Sequence, residues 1–440
     1  MKYDAVIIGG GPGGYETALR IAKLDGKAAL VERRHFGGVC TNVGCIPTKT
    51  LIASCEVLDD IRRSSEFGID VPQHALNHQA LFKRRDRVVL TMRKGVEKLL
   101  QDAKVDVYRG EAKLTSKNTV EVNGIRIEAN NIVVASGSQP APLPGVPIDH
   151  EYVLSGDDAA SSTNIPANIV IIGGGIIGCE YASIYSRLGS KVTLVEALPR
   201  ILPTEDEDVS YALHKSLSND MRIITGTKVG SVDKTTKTVK VASENIPADV
   251  VILAVGRKPN LPQGLSELGV ATDRNGIKVD ARMRTNIENI YAVGDVTDGI
   301  KLAHVAYAGA EVAAQNIICE DTEADFSCIP WCIFTHPEVA RVGVSEREAN
   351  VKIRVGRAEY VGNGKARAMG ERDGFCKVIV DDENDTILGA HIVGSHASSL
   401  IGEAALAVKY KMHAHQVTET IHPHPTLTEL FKQACENAEK

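Results

Sequence analysis

The sequence predicts an α/β chain with two Rossmann-like dinucleotide-binding domains, and three observations predict it. A unit of strand, glycine-rich turn, helix and acid-ended strand occurs twice. A closely spaced cysteine pair follows the first copy. At 440 residues the chain is too long for one hydrophobic core, so three or so domains are expected.

In the first copy Val6-Ile7-Ile8 leads into Gly9-Gly10-Gly11-Pro12-Gly13-Gly14. An amphipathic run from Thr17 to Leu24, closed by Gly26, precedes Ala28-Ala29-Leu30-Val31-Glu32. The second copy has Ile169-Val170-Ile171-Ile172, then Gly173-Gly174-Gly175-Ile176-Ile177-Gly178, a helix to Gly189, and Val192-Thr193-Leu194-Val195-Glu196. Such self-similarity marks a repeated unit. Each G-x-G-x-x-G follows an apolar strand, opens a helix and has an acid about 20 residues on, the βαβ context that gives the motif meaning. Gly9 and Gly173 make the tight turn. Gly11 and Gly175 let the backbone approach a pyrophosphate resting on the helix N-terminus, and Gly14 and Gly178 permit close helix packing. Glu32 and Glu196 stand where an acid hydrogen-bonds a ribose 2′-OH, and a carboxylate repels a 2′-phosphate. Two dinucleotides are expected, with NAD preferred over NADP at the second site. Arg200, just beyond Glu196, tempers that preference.

The cysteines lie in Gly37-Gly38-Val39-Cys40-Thr41-Asn42-Val43-Gly44-Cys45-Ile46-Pro47-Thr48-Lys49. Two neighbouring thiols can exchange with each other and with a substrate disulfide. Five helical steps of ~1.5 Å separate Cα atoms by about 7.5 Å, beyond the roughly 7 Å reach of a disulfide, so the run is not regular helix throughout. Gly44 supplies backbone freedom, and Pro47 suits the first turn of a helix continuing through Leu51 and Ile52. Both sulfurs are then expected at a helix N-terminus, where the macrodipole and Lys49 favour thiolate. A dinucleotide beside a dithiol must exchange electrons with it. Nicotinamide carries only hydride whereas a flavin can mediate between hydride and thiolate, so the first site is expected to hold FAD.

Composition narrows the class. Hydrophobic residues are 43% and charged residues 24% of the chain, as in globular proteins, and no stretch approaches 18 uninterrupted apolar residues. The first strand begins at Tyr3, so no presequence is read and a cytoplasmic location is expected. A net charge of -6 provides no footprint for nucleic acid or an anionic membrane. The nine cysteines show no secreted-scaffold pattern. Cys328 and Cys332 flank Pro330 without a second half-site, so no metal is expected.

With these motifs the chain closely resembles the pyridine nucleotide-disulfide oxidoreductases from Val6 to Glu429. The resemblance implies that Cys45 is the thiolate contacting the flavin and Cys40 the thiol that exchanges with substrate. It places Lys49 near the flavin with Glu180 as its paired acid, each biasing the other's charge. Ala135-Ser136-Gly137-Ser138 and Ala254-Val255-Gly256-Arg257-Lys258-Pro259-Asn260 match the segments where the family chain passes between FAD and NAD domains, with Ser136 where threonine is usual. Gly137 and Ala112 are assigned to FAD and Gly256 to NAD. Tyr291-Ala292-Val293-Gly294-Asp295 resembles the second FAD segment, whose acid binds the ribityl chain, and Ala303 in Leu302-Ala303-His304 is expected near the flavin.

Near the C-terminus, His424 of Ile421-His422-Pro423-His424-Pro425-Thr426-Leu427-Thr428-Glu429 matches the family base and Glu429 the acid that orients it. A dithiol substrate must be deprotonated, and histidine titrates in the right range. Thr426-Leu427-Thr428-Glu429 also reads as a capping box for a helix through Leu430, Phe431 and Ala434. His422 is expected to support the site from behind its contacting residues or to be structural. In the family the base comes from the partner subunit, so a homodimer is expected, with the segment from Phe326 onward as an α+β dimerisation domain. The implied division is 1–143 for FAD and the disulfide, 144–265 for NAD, 266–325 returning to the FAD domain, and 326–440 for the interface. The implied reaction is oxidation of protein-bound dihydrolipoamide with reduction of NAD, the partner being a lipoyl domain or carrier of a 2-oxoacid dehydrogenase or glycine cleavage complex. Glutathione or mercuric reductase activity, or a redox-sensor or structural role, are the alternatives. Glu196 disfavours the first of these, and the lack of a C-terminal cysteine pair the second.

Overall fold

The computed structural model describes residues 2–319 and 321–439. The first repeat forms a sheet in which Asp106–Arg109, Ala28–Glu32, Tyr3–Ile8 and Ile125–Val134 lie side by side, all parallel. The N-terminal half of Ile125–Val134 pairs antiparallel with Thr119–Val122, which pairs with Ala112–Ser116. The later strand Ile290–Ala292 returns to the far side of Ile125–Val134, again parallel. The second repeat has the same order, Arg222–Ile224, Lys191–Val195, Asn168–Ile172 and Val250–Leu253, with Val153–Ser155 added at the edge. Every residue of Ala28–Glu32 and four of the five in Asn168–Ile172 are buried. That is why both read as continuous apolar runs: a parallel sheet is covered on both faces.

A third sheet is antiparallel, in the order Trp331–Ile333, Glu338–Gly343, Ile387–Gly394, Phe375–Asp381, Ile353–Glu359. Helices Ala397–Lys409 and Glu429–Glu436 close its core through Ala404, Leu430 and Phe431. The two passages between the repeats meet as a short ribbon, Ser138–Pro140 against Arg257–Pro259.

The cysteine run is broken as its spacing requires. A short helix, Gly38–Val43, stops at Gly44 (φ −134°, ψ −109°), and Cys45–Arg62 begins a new one with Pro47 in its first turn. This second helix lies along Ile176–Arg187, the helix opened by the second glycine motif. Arg187 Nε donates to Asp59 at 2.6 Å, and Leu51, Ile52 and Cys55 share a core with Ile184 and with Ile333, Phe375 and Val393 of the third sheet. The cysteines are therefore carried by the element that joins the repeats. Among the described residues no helix is long and apolar enough to cross a membrane.

Candidate active site

The two glycine turns have nearly the same geometry. Gly9 has φ +107° and Gly173 φ +111°, and a Cβ there would sit 2.3 or 2.4 Å from the carbonyl oxygen of Ala135 or Ala254. A Cβ on Gly14 would lie 1.7 Å from Gly9 O, and one on Gly178 1.8 Å from Gly173 O. These glycines let the helix close onto its own turn. At the middle positions the space is open: a Cβ on Gly11 meets nothing nearer than Gly38 Cα at 3.7 Å, and one on Gly175 nothing within 4 Å. Helices Pro12–Lys23 and Ile176–Arg187 both begin at these glycines without a side-chain cap. Open space above uncapped helix N–H groups fits a pyrophosphate at each turn.

The acids do more than face a ribose. Glu32 accepts the Gly10 N–H at 2.6 Å and the Arg34 N–H at 2.5 Å, and Glu196 accepts the Gly174 N–H at 2.5 Å and the Leu198 N–H at 2.7 Å. Each clamps its glycine turn and keeps lone pairs for a sugar hydroxyl. Arg200 is occupied elsewhere, with Glu207 at 3.1 Å and the carbonyls of Pro203 and Glu205 at 3.2 Å. A 2′-phosphate therefore finds the Glu196 carboxylate without a free Arg200 beside it.

One continuous cleft of ≈ 2190 Å³ connects the turns. It is lined by Gly9, Gly11, Glu32, Cys40, Cys45, Lys49, Ala112, Gly137, Asp295 and Ala303 on one side and by Gly173, Gly175, Glu180, Glu196 and Gly256 on the other. Gly14 and Gly178 lie behind it, as their packing role requires, and His424 and Glu429 are not on its wall.

Both cysteines are free thiols. They are polarised in opposite senses, which corrects the expectation that both favour thiolate. Cys45 is lowered to about 7, chiefly by the hydrogen bond from Cys40 and then by the Lys49 charge, against burial. Cys40, as the donor, is pushed far up by that hydrogen bond and by burial. Cys45 opens the long helix, whereas Cys40 sits in the six-residue one. The pair thus shares one proton, held on Cys40.

Lys49 Nζ reaches both oxygens of Glu180 at 3.0 and 2.9 Å, across 131 residues. Glu180 is buried, accepts the Phe334 N–H at 3.0 Å, and the Lys49 ammonium lies 4.2 Å from the Phe334 ring centroid. The wall completed by Phe334 comes from the third sheet's segment and was not singled out in the sequence. Asp295 accepts from Ser138 Oγ at 2.6 Å. Arg257 donates to Ser138 Oγ at 2.8 Å and pairs with Asp157 at 2.6 Å, so the ribbon between the repeats holds Asp295. Ser136, in place of the usual threonine, donates to Asn260 O at 2.6 Å across the same ribbon.

His424 is 78% exposed, and its Nδ1 is 2.8 Å from Glu429 Oε1. Glu429 Oε2 accepts the Thr426 N–H at 2.8 Å, and that bond with the histidine holds its carboxyl below the usual range. Only half of the capping box forms: helix Glu429–Glu436 begins at the acid itself and Thr428 makes no side-chain cap. The peptide bond His424-Pro425 is cis. The His422 side chain is buried against Glu403, with Nε2 2.8 Å from Oε1. Cys328 donates to Ala405 O at 3.4 Å, and no metal cluster containing a cysteine occurs among the described residues.

The family profile described as pyridine nucleotide-disulphide oxidoreductase matches residues 3–310, and the dimerisation domain of the same family matches residues 329–435. The chain belongs to the pyridine nucleotide-disulphide oxidoreductases, enzymes that use FAD and NAD. Its relatives include the dihydrolipoyl dehydrogenase of Chlamydia trachomatis, 39% identical over 98% of this chain and 96% of that one. The dihydrolipoyl dehydrogenase of Bacillus subtilis is 37% identical over 97% of each. Among solved structures, the HOCl-induced flavoprotein disulfide reductase RclA from Escherichia coli superimposes with a TM-score of 0.89 at 27% identity, covering 99% of this chain and 100% of that one.

Proposed function

We infer that this chain is a dihydrolipoyl dehydrogenase: it oxidises a dihydrolipoyl group to the cyclic disulfide through Cys40 and Cys45 and reduces NAD. The observation that carries the reading is the polarised cysteine pair on the wall of a cleft that also contains both glycine turns. Gly9, Gly11, Gly14, Glu32, Lys49, Ala112, Gly137, Asp295 and Ala303 are assigned to FAD. Gly173, Gly175, Gly178, Glu196 and Gly256 are assigned to NAD. FAD, when bound, supplies a two-electron acceptor between the thiols and the nicotinamide.

The chain's own groups perform the thiol chemistry. With Cys40–Cys45 as a disulfide, His424 takes the proton of a substrate thiol and the resulting thiolate attacks Cys40 Sγ. The S–S bond breaks and Cys45 leaves as thiolate, the form its low pKa favours at neutral pH. The second substrate thiol attacks the substrate sulfur of the mixed disulfide, closing the substrate ring. The bond to Cys40 breaks and its sulfur takes that thiol's proton, so Cys40 ends as thiol, Cys45 as thiolate and the first proton stays on His424. Two electrons have then moved from the substrate to the cysteine pair. Lys49, held by Glu180, stabilises the Cys45 thiolate by charge, and Glu429 holds the His424 ring in place.

His424 acts in trans on this reading, since it is absent from the wall of its own chain's cleft and the family's dimerisation domain supplies the second copy. The division into 1–143, 144–265, 266–325 and 326–440 follows, with the last segment as the interface. A lipoyl domain or carrier protein of a 2-oxoacid dehydrogenase or glycine cleavage complex would present the substrate, in the cytoplasm.

Replacing Cys40 by Ser tests the reading. Dihydrolipoamide-dependent NAD reduction should fall by on the order of 10³-fold or more while flavin stays bound. Wild-type enzyme should turn over dihydrolipoamide with NAD and not oxidised glutathione with NADPH. Retained turnover in the variant, or the opposite substrate preference, sinks it.

A further inference from the structure

Each dinucleotide pocket has a rim that closes onto its glycine turn, the first through the Gly37 N–H donating to Gly10 O at 2.8 Å, but the rim of the second is also tied to the third sheet. The loop from Leu198 to Asp206 lies over the second glycine turn, and its residues Leu198, Leu202, Pro203 and Thr204 line the cleft. Leu202 donates to Gly174 O at 2.8 Å and is held at φ +45°, a left-handed conformation uncommon for a leucine and kept only where the surroundings over-determine it.

Arg200 holds the loop from within its own unit, and the third sheet with the segment after its strand Glu338–Gly343 holds it from outside. Thr204 O accepts from Arg341 at 3.3 Å and Arg347 at 3.4 Å, and Glu205 O accepts from Arg347 at 3.1 Å. Beyond them lies Lys377, 1% exposed on the strand Phe375–Asp381. Its ammonium reaches Asp206 at 3.0 Å, Asp208 at 2.7 Å and Glu346 at 2.7 Å. Oxygens of these three carboxylates approach within 4.8 Å of one another, a spacing that would otherwise suit a cation. Lys377 takes that place: three N–H donors meet three acceptors. The Glu346 N–H also donates to Asp206 at 3.2 Å, and buried His391 lies 3.7 Å from the same carboxylate. No corresponding loop of the first unit engages the third sheet in this way among the described hydrogen bonds and ion pairs.

We propose that Lys377 is a positioning residue for the pyridine nucleotide: it fastens the rim of the second pocket to the dimerisation domain, so that domain sets nucleotide affinity. Without the ammonium the three carboxylates repel at the end of the loop, and Leu202 loses the restraint that presses it onto Gly174. The proposal rests on the second glycine unit being the nicotinamide site.

Calorimetric titration of NAD into the oxidised, FAD-loaded dimer tests it. Lys377→Met should weaken binding about three- to thirty-fold, with Lys377→Arg recovering most of it. Arg347→Ala, at a half-exposed residue that leaves the buried lysine in place, should weaken binding in the same direction and decides the matter if Lys377→Met does not fold. In steady state the KM for NAD should rise while kcat and the KM for dihydrolipoamide stay near wild type. Wild-type NAD affinity in these variants, or equal loss of FAD and NAD, overturns the fastening. Gly175→Val, which fills the cradle itself, separates the premise: if it too binds NAD normally, the assignment of the second unit has failed.

Discussion

The first and second glycine turns agree in dihedral, in close contacts and in the acid that clamps each, yet the proposed function assigns them different cofactors. Gly9 and Gly173 differ by only a few degrees in φ, and Glu32 and Glu196 bind the Gly10 and Gly174 N–H at 2.6 and 2.5 Å. What differs is attached outside the turn. The first unit is followed by the cysteine helix, which reaches across to the second unit through Lys49 and Glu180. The second is followed by a loop tied to the third sheet. On the proposed assignment a shared dinucleotide cradle is made redox-specific or nucleotide-specific by its neighbours, and the cradle itself carries no such distinction.

The largest effect separates the copies by their closest contact. In Gly14→Ala and Gly178→Ala the new Cβ would fall 1.7 or 1.8 Å from a carbonyl oxygen, so the helix must move off its turn. Each should cost about 3 kcal/mol or more in its own unit. Gly14→Ala should lose flavin absorbance on gel filtration and melt earlier, whereas Gly178→Ala should keep the flavin and lose NAD binding. The same loss in both variants would mean the units do not hold separate cofactors.

Much of this comparison was legible in the sequence, for a local reason. Buried parallel strands must be apolar, tight turns need glycine, and a five-residue cysteine spacing forbids continuous helix, so Val6 to Glu32, Ile169 to Glu196 and the break at Gly44 declare themselves. Residues joined by folding did not. Phe334 meets Glu180 across 154 positions, and Lys377 meets Asp206 across 171. The signal for Lys377 was present, a lone cation within the apolar strand Phe375–Asp381, but nothing local says which carboxylates it answers. The unequal thiols could not be read from the spacing of the pair, because the direction of one S–H decides them; only the family resemblance gave Cys45 and Cys40 different roles.

The middle effect probes the bridge between the units through acidity. With Cys45 near 7, the reduced enzyme holds it mainly as thiol below that pH and as thiolate above, so iodoacetamide labelling of Cys45 should rise through pH 7. Lys49 lowers this pKa and Glu180 raises it. Lys49→Met should therefore move the labelling midpoint up, and Glu180→Gln should move it down. Mass spectrometry of the alkylated peptide reads both shifts, and movement in one common direction would mean that altered burial, not charge, sets the Cys45 pKa.

The smallest effect asks what distinguishes the second acid from a bystander arginine. Glu196 spends two lone pairs on Gly174 and Leu198, and its charge opposes a 2′-phosphate on the adenosine ribose. Glu196→Gln keeps an acceptor for the turn and removes that repulsion, so the preference for NAD over NADP should fall by about tenfold, or ~1.4 kcal/mol. Arg200→Ala should leave the ratio nearly unchanged, because the guanidinium is already committed to Glu207 and two loop carbonyls. It should instead weaken both nucleotides together, by loosening the loop that carries Leu202. Competition of NAD and NADP for each variant separates these cases: a ratio that moves with Arg200 and not with Glu196 would place discrimination on the loop, and the clamp on Gly174 would be the acid's whole contribution.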